Sequence, residues 1–352
     1  MVAKDFSLDD TIIAQTTAKV KWTEKKIKNL EVARKLYKLA QMTEDAAERL
    51  QTIGADGEAY IERLRAEEYR KRSNRMKECS RFITMSMCPD CGRSVASSAT
   101  LCRDRICPTC SWRLAAKQSV EMLHTLAYVT DICDYDALFL TLTVQNCDPD
   151  QLAPTLEMMS EAWHRMMMRR KNKEIIKGTA RSVEVTYNEK TKKFHPHFHI
   201  IMLVAKETRS VGELNFYFNL EWKKACNIIY TPITDLRKIE NKTVLEYDQP
   251  EAEKYKKAIL ETFKYTIKDD SLQNMPIVTF RHFIDGIKDR RLVSYTGIIK
   301  EARAEMQFTD EVENETPEKH CPDCNSEMLS AVYQWSFSEN TYKRFIETVT
   351  NS

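Results

Sequence analysis

Residues 194–199 read Phe-His-Pro-His-Phe-His, and the fold prediction for the chain starts from this segment. His197 and His199 are two residues apart, so on a β-strand both imidazoles project from the same face. Phe198 then points to the opposite face, into a core. Three of the seven histidines of the chain lie within five positions here. Such clustering favours a metal site over unrelated structural histidines.

The preceding segment supplies a third candidate ligand. Residues 181–187 alternate and residues 198–204 are apolar, and a polar turn separates them, so together they predict a β-hairpin. Glu184 lies between two valines and is expected to join His197 and His199. This set fits a hard cation, Mg²⁺ or Mn²⁺, which would polarise a phosphate oxygen. His195 has the same strand parity, and we assign it either to support of this site or to DNA contact.

A downstream helix, predicted over residues 251–267, carries a second candidate group. Glu261, Tyr265 and Lys268 stand at i, i+4 and i+7 and therefore form one column. A tyrosine oxygen attacks phosphorus to give a covalent 5′ phosphotyrosine, a lysine balances phosphate charge, and a glutamate activates water for a later hydrolysis. The same spacing is common on solvent-exposed helices. Its position after the histidine strand favours the catalytic interpretation.

The chain has 11 cysteines, and their spacing predicts bound zinc. Two pairs, Cys88-x2-Cys91 and Cys107-x2-Cys110, match the four-cysteine pattern of a structural zinc site. A second, incomplete set consists of Cys102, His320, Cys321 and Cys324. If Cys102 completes that set as a Cys3His site, the tail folds back onto the cysteine-rich module.

The length of 352 residues fits two or three domains, and the sequence divides into four regions. These are a charged helical region over 1–78, a cysteine-rich zinc module with a helix over 79–130, a domain with the histidine strand over 131–305, and a tail over 306–352. Two amphipathic helices are expected in the first region. They form either a solvated arm or an arm that touches DNA.

Composition and charge limit the classes of function. Hydrophobic residues make up 42% and charged residues 30%, which is typical of a folded, soluble chain. No apolar stretch reaches the length of a membrane span, and residues 1–10 lack the pattern of a signal peptide, so we expect a cytoplasmic protein without membrane contact.

Local clusters of basic residues bear more on DNA binding than the formal net charge of +2. One cluster comprises Arg165, Arg169, Arg170, Lys171 and Lys173. Such a run is either a solvated face or a set of phosphate contacts. Its position directly before the strand of Glu184 favours phosphate contacts.

Together these residues resemble the rolling-circle plasmid replication initiators, members of the HUH endonuclease superfamily. Residues 139–143, Phe-Leu-Thr-Leu-Thr, resemble the first motif of that family. Residues 195–199 resemble its metal-binding motif, and residues 261–268 resemble its third motif in the branch with a single tyrosine. The resemblance covers most of the chain, from about residue 75 to about residue 300.

The resemblance implies an α+β fold in which helices flank a central antiparallel sheet and the histidine strand faces the tyrosine helix. It also implies a metal-dependent nicking and joining enzyme of the bacterial cytoplasm. Tyr265 would cut one strand at the double-strand origin of a plasmid, and Glu261 would activate water at termination. The implied partner is origin DNA, single-stranded or hairpin at the nick site. A host helicase and a second copy of the chain are further candidate partners.

Two alternatives remain open on the sequence alone. One is a relaxase or transposase of the same superfamily. The other is a zinc-containing DNA-binding regulator without catalysis, which predicts that Tyr265→Phe leaves biological activity intact.

Overall fold

A computed structural model describes residues 17–133, 135–205, 209–239, 258–263, 267, 269–309 and 319–345. The chain divides into two compact units. The first comprises residues 1–113 with 311–352, and the second comprises residues 114–310. The four-region division drawn from the sequence remains a prediction. In the described part of the chain, no helix is both long enough and apolar enough to cross a membrane.

A helical hairpin begins the described part of the first unit. Helix α1 (Thr17–Thr52) and helix α2 (Asp56–Glu78) confirm the two helices expected there. Their inward faces bury apolar side chains such as Leu36 and Tyr69. Between these helices the buried hydroxyl of Ser73 donates to the carbonyl oxygen of Ala33 at 2.7 Å.

A four-stranded sheet completes the first unit. Its strands are β1 (Phe82–Met87), β2 (Ser94–Ala99), β8 (Leu329–Ser336) and β9 (Thr341–Arg344), in the order β2-β1-β8-β9. Strand β8 comes from the tail and pairs with all of β1, from Phe82 opposite Gln334 to Met87 opposite Leu329. Strands β8 and β9 of the tail therefore belong to this sheet. Its core includes Trp22, Ile83 and Tyr333.

The second unit is built on an antiparallel sheet of order β6-β3-β5-β4-β7. The strands are β3 (Tyr135–Thr143), β4 (Ile176–Asn188), β5 (Lys193–Ala205), β6 (Thr234–Ile239) and β7 (Val293–Thr296). The predicted hairpin is confirmed, since β4 and β5 pair along their length. The apolar and β-branched run of residues 138–144 predicts a buried strand, and the structure has strand β3 there. The histidine strand β5 is the central strand of the sheet.

Helices on one face of this sheet cover the even-numbered side chains of β5. Helix α4 (Leu152–Met168), helix α6 (Val211–Cys226) and helix α8 (Ile277–Ile287) lie there, and Trp222 of α6 packs against Phe198 at a ring-centroid distance of 5.9 Å. Apolar residues at helical spacing after Leu152 predict a single helix to about Lys173, and this prediction is wrong at one point. Arg169 is extended (φ −66°, ψ 132°) and separates α4 from the short helix α5 (Arg170–Ile175). Buried Asn172 donates to the carbonyl oxygen of Met166 and caps the end of α4.

The opposite face carries the odd-numbered side chains of β5. Ile201 and Leu203 pack there in an apolar cluster with Met122 of helix α3 (Pro108–Ile132), with Phe263, and with Ile299 of helix α9 (Gly297–Glu305). A further short helix, α7, spans Asp269–Asn274. The side chains of His197 and His199 project from this same face of the sheet, next to the apolar cluster.

The predicted tyrosine helix falls mostly outside the described residues. Of residues 251–267 the structure describes 258–263 and 267, and 258–262 are helical. Tyr265 and Lys268 lie outside the described residues.

Candidate active site

Strand register brings the three predicted ligands of the divalent ion together. Glu184 on β4 pairs with His197 on β5, and Ser182 pairs with His199. Because side chains alternate across a strand, Glu184, His197 and His199 project from the same face. All three are at most 8% exposed.

The carboxylate of Glu184 lies between the two imidazoles. Its Oε2 is 3.1 Å from Nε2 of His197 and 2.8 Å from Nε2 of His199. Burial alone would raise the pKa of Glu184, but hydrogen bonds and charge from both histidines outweigh it and hold the pKa far below its usual range. Glu184 therefore presents an ionised oxygen to the site.

The surroundings of His197 fit a cation at this position. Its Nδ1–H donates to the carbonyl oxygen of His195 at 3.2 Å, while its Nε2 faces the carboxylate of Glu184. Both neighbours are acceptors, and a neutral imidazole has one N–H. A cation bound by Nε2 and the carboxylate satisfies both groups. The three ligand atoms lie within 4.8 Å of one another, so one ion can reach all of them.

His199 is held by two residues of β3 that the sequence analysis did not single out. The hydroxyl of Thr141 lies 3.3 Å from Nδ1 of His199, and the ring of Phe139 stacks on the imidazole with centroids 5.5 Å apart. Both belong to the segment 139–143, where strand parity places residues 139, 141 and 143 on the histidine face. That parity is the signal that identifies them.

Glu261 lies beside the same group of ligands. Its Oε1 is 3.9 Å from Nε2 of His199, and its side chain is one-third exposed. The hydroxyl of Ser182 donates to the carbonyl oxygen of Thr262, which anchors this segment over the sheet. Glu261 is thus the one predicted residue of the tyrosine helix that the structure describes, and its catalytic role stays a prediction.

His195 lies at the edge of the group. Its Nδ1 is 2.7 Å from Oδ1 of Asn146, and it makes no contact with Glu184 as close as those of the other two histidines. Burial, and then the charge of His197, lower the pKa of His195. Its role in DNA contact stays a prediction.

The basic run before β4 divides into two kinds of side chain. Arg165 donates to the carbonyl oxygen of Ala225 and so holds α4 against α6. Arg169, directly after α4, pairs with Glu221 of α6 at 2.5 Å. Arg170 is 94% exposed and pairs only with exposed Glu174 among the contacts described. The other two are Lys171, whose ammonium lies 4.7 Å from the ring centroid of Tyr217, and Lys173.

The eight clustered cysteines form two groups, and the grouping predicted from spacing is wrong. Cys79, Cys102, Cys107 and Cys110 form one cluster, while Cys88, Cys91, Cys321 and Cys324 form the other. Cys88 and Cys91 therefore do not meet Cys107 and Cys110. Neither Cys102 nor His320 joins Cys321 and Cys324. Local spacing gave the wrong grouping because Cys321 and Cys324, the partners of Cys88 and Cys91, lie some 230 residues further along the chain. Thiol sets of this kind suggest zinc.

The described residues form an α+β protein with a candidate divalent-metal centre and two groups of four cysteines. The sequence model of the replication protein family matches residues 93–343, about seven-tenths of the chain. The chain belongs to this replication protein family.

Curated relatives agree with this assignment. A "Protein rep" from Bacillus amyloliquefaciens is 30% identical over 268 residues, which cover 72% of this chain and 78% of the relative. A "Protein rep" from a Bacillus species is 30% identical over 72% of this chain and 86% of the relative. Another, from Streptococcus pneumoniae, is 31% identical over 61% of this chain and 66% of the relative. No solved structure matches the chain.

Proposed function

We propose that this protein is a plasmid rolling-circle replication initiator that nicks and rejoins one DNA strand through a covalent 5′ phosphotyrosine. The observation that carries the proposal is the convergence of Glu184, His197 and His199 on one face of the central hairpin. Membership in the replication protein family supports replication over conjugation or transposition as the setting.

The three ligands would hold Mg²⁺ or Mn²⁺. Such an ion, when bound, polarises a non-bridging phosphate oxygen and offsets the charge that develops there. The protein supplies the rigid frame, since each ligand stands on a strand and is buried.

The attacking group in this proposal is Tyr265, two residues along the chain from buried Phe263. As its phenolic oxygen bonds to phosphorus, the phenol gives up its proton, and the bond from phosphorus to the 3′ oxygen breaks. The freed 3′ oxygen takes up a proton and becomes the hydroxyl that primes synthesis. The 5′ phosphate stays on the tyrosine.

Glu261 and Lys268 complete the proposed group. Glu261, one-third exposed and 3.9 Å from His199, is open to water and to DNA. At termination its carboxylate takes a proton from a water molecule, the water oxygen bonds to phosphorus, and the bond from phosphorus to the oxygen of Tyr265 breaks. The tyrosine oxygen takes up a proton and the 5′ phosphate is released. The ammonium of Lys268 balances the charge of the phosphate.

DNA reaches the site over the polar end of the hairpin in this proposal. His195, half-buried beside Asn146, presents a ring nitrogen at that edge. Of the basic run, the exposed side chains Arg170, Lys171 and Lys173 are open to phosphate, because Arg165 and Arg169 are engaged in the fold.

The test uses the full chain with single-stranded origin oligonucleotides and Mn²⁺. A covalent adduct on a denaturing gel is expected for the unsubstituted protein and not for Tyr265→Phe. Tyr230→Phe is the matched control and should form the adduct, because the Tyr230 hydroxyl is bonded to the backbone of Gln145. An adduct that survives Tyr265→Phe, or no adduct with any origin sequence, contradicts the mechanism. The second outcome favours the non-catalytic regulator.

A further inference from the structure

We propose that the first unit contains two zinc sites, each with four cysteine thiolates as ligands. One of these sites links residues 88–91 to residues 321–324. Site A comprises Cys79, Cys102, Cys107 and Cys110, and site B comprises Cys88, Cys91, Cys321 and Cys324. This inference does not depend on whether the chain nicks DNA.

The sulfur spacing in both sites is that of a tetrahedron around zinc. A Zn–S bond of about 2.3 Å gives tetrahedral S–S edges of about 3.8 Å. In site A the Sγ atoms of Cys79 and Cys110 are 3.5 Å apart, and those of Cys102 and Cys110 are 3.7 Å apart. In site B the Sγ atom of Cys88 is 3.3 Å from that of Cys324. Four sulfurs at such distances converge on one point in each site.

Backbone amides point at the sulfurs of site A. The amides of Cys102 and Arg103 donate to the sulfurs of Cys79 and Cys110 at 3.5 and 3.3 Å. The amide of Cys110 lies 3.5 Å from the sulfur of Cys107. Amides directed at sulfur stabilise thiolate, the form that binds metal.

A buried lysine supplies positive charge next to site A. Lys26 is 0% exposed, and its ammonium donates to the carbonyl oxygens of Lys77, at 2.8 Å, and of Cys79. A buried ammonium is costly without a compensating negative charge. Zinc with four thiolates carries a net charge of −2 and provides that compensation.

Site B is built from two copies of one tetrapeptide. Residues 88–91 and 321–324 both read Cys-Pro-Asp-Cys. In each copy the fifth residue is left-handed, Gly92 at φ +75° and Asn325 at φ +61°, and its amide donates to the first cysteine's carbonyl oxygen, at 3.1 and 2.7 Å. The two turns therefore have the same local fold and present their two thiols in the same way.

The two turns also bind each other reciprocally. Arg93, two residues after the first turn, donates to Asp323 of the second at 3.1 Å. Ser326, two residues after the second turn, donates to Asp90 of the first. This twofold pattern brings the turns face to face with their thiols between them. Site B thus joins segments that are separated by more than 200 residues, and it holds strand β8 beside β1.

Zinc content of single and double variants tests the grouping. All variants carry His197→Ala, so that the candidate active site contributes no zinc to the count. The parent and the control Cys147→Ser should hold two zinc ions per chain, and Cys88→Ser should hold one. Adding Cys321→Ser to Cys88→Ser should remove no further zinc, because both residues belong to site B. Adding Cys107→Ser instead should remove the second ion.

The grouping predicted from spacing would instead leave one zinc ion in Cys88→Ser with Cys107→Ser and none in Cys88→Ser with Cys321→Ser. That result would overturn the grouping into sites A and B. Fewer than two zinc ions in the parent would overturn it as well.

Alkylation of the unsubstituted protein provides a test that requires no variant to fold. Cys91 and Cys324 are exposed, so as free thiols they would react rapidly. As zinc ligands they should resist iodoacetamide, and a chelator should make the four cysteines of site B reactive together. Rapid labelling of Cys91 and Cys324 before chelation would refute a metal at site B.

Discussion

The hydroxyl of Thr141 lies 3.3 Å from Nδ1 of His199, on the side of the ring opposite the nitrogen that faces Glu184. A hydroxyl that accepts a hydrogen bond from Nδ1–H keeps the proton on Nδ1 and leaves the lone pair of Nε2 free to bind a metal. Thr141 on strand β3 is therefore a positioning residue for a ligand on strand β5.

Thr141→Val should weaken binding of Mn²⁺ by about 10- to 100-fold, as is typical when a residue that orients a metal-binding histidine is lost. Thr141→Ser keeps the hydroxyl and should bind Mn²⁺ like the unsubstituted protein. Titration calorimetry measures both. Thr143→Val is the matched control, because the Thr143 hydroxyl donates to the carbonyl oxygen of Ile233 and not to a histidine. Equal affinity of the Val and Ser variants at position 141 would refute the positioning role.

Glu184→Ala should reduce Mn²⁺-dependent nicking by more than about 100-fold, a larger loss than that from a residue that only orients a ligand. The reason is that Glu184 is the one carboxylate within 3.1 Å of both His197 and His199 among the described residues. Gel assays over a range of Mn²⁺ concentrations measure the effect. Glu189→Ala, in the exposed turn of the same hairpin, should nick normally. Retained nicking by Glu184→Ala would remove it from the site.

Glu261→Ala should nick at a normal rate and release the 5′ phosphate poorly, because the proposed task of Glu261 begins only after Tyr265 is bound to DNA. The covalent adduct should therefore accumulate, and pulse-chase experiments on denaturing gels measure its lifetime. If the adduct of Glu261→Ala decays as fast as that of the unsubstituted protein, Glu261 does not activate water.

The central hairpin was predictable because its information is local. An alternation of period two places Glu184 and both histidines on one face, and the turn between them fixes the register. The break at Arg169 was not predictable from the sequence, since residues 169–174 read Arg-Arg-Lys-Asn-Lys-Glu and contain no glycine or proline that would end a helix. It depends on buried Asn172, which bonds to Met166 and to Tyr217 of another helix.

The grouping of the cysteines could not be predicted from the sequence, for a different reason. Cys88-x2-Cys91 has a nearer match in Cys107-x2-Cys110 than in residues 321–324, and spacing alone favours the nearer one. The pairing of β8 with β1 brings residues 321–324 close to residues 88–91, although these segments are more than 200 residues apart in the sequence. The repeated tetrapeptide Cys-Pro-Asp-Cys was the only local sign of the true grouping.

Arg170 and Arg169 are adjacent in the basic run, but their substitution should affect different properties. Arg170→Ala should weaken DNA binding, and Arg169→Ala should lower the stability of the fold. Arg170 is nearly fully exposed, so its loss should weaken DNA binding and reduce the slope of log K against log salt by about one, with little change in Tm. Arg169 pairs with Glu221, whose side chain is 12% exposed, so its loss should cost about 1–3 kcal/mol of folding free energy. Binding titrations at several salt concentrations and thermal unfolding separate the two. A Tm loss in Arg170→Ala that matches the loss in Arg169→Ala would contradict this division.

Gly297→Ala should destabilise the second unit. Gly297 begins helix α9 at φ +55°, and a Cβ there would overlap the backbone carbonyl of Lys177 on strand β4. The left-handed backbone alone costs a residue with a side chain about 1–2 kcal/mol, and the overlap adds to that cost because backbone cannot move aside easily. Gly57→Ala in helix α2 is the control, since a Cβ at Gly57 meets nothing within 4 Å and alanine favours a helix. Denaturant unfolding measures both variants. Equal stability of the two variants would mean that α9 and β4 do not approach each other as closely as described.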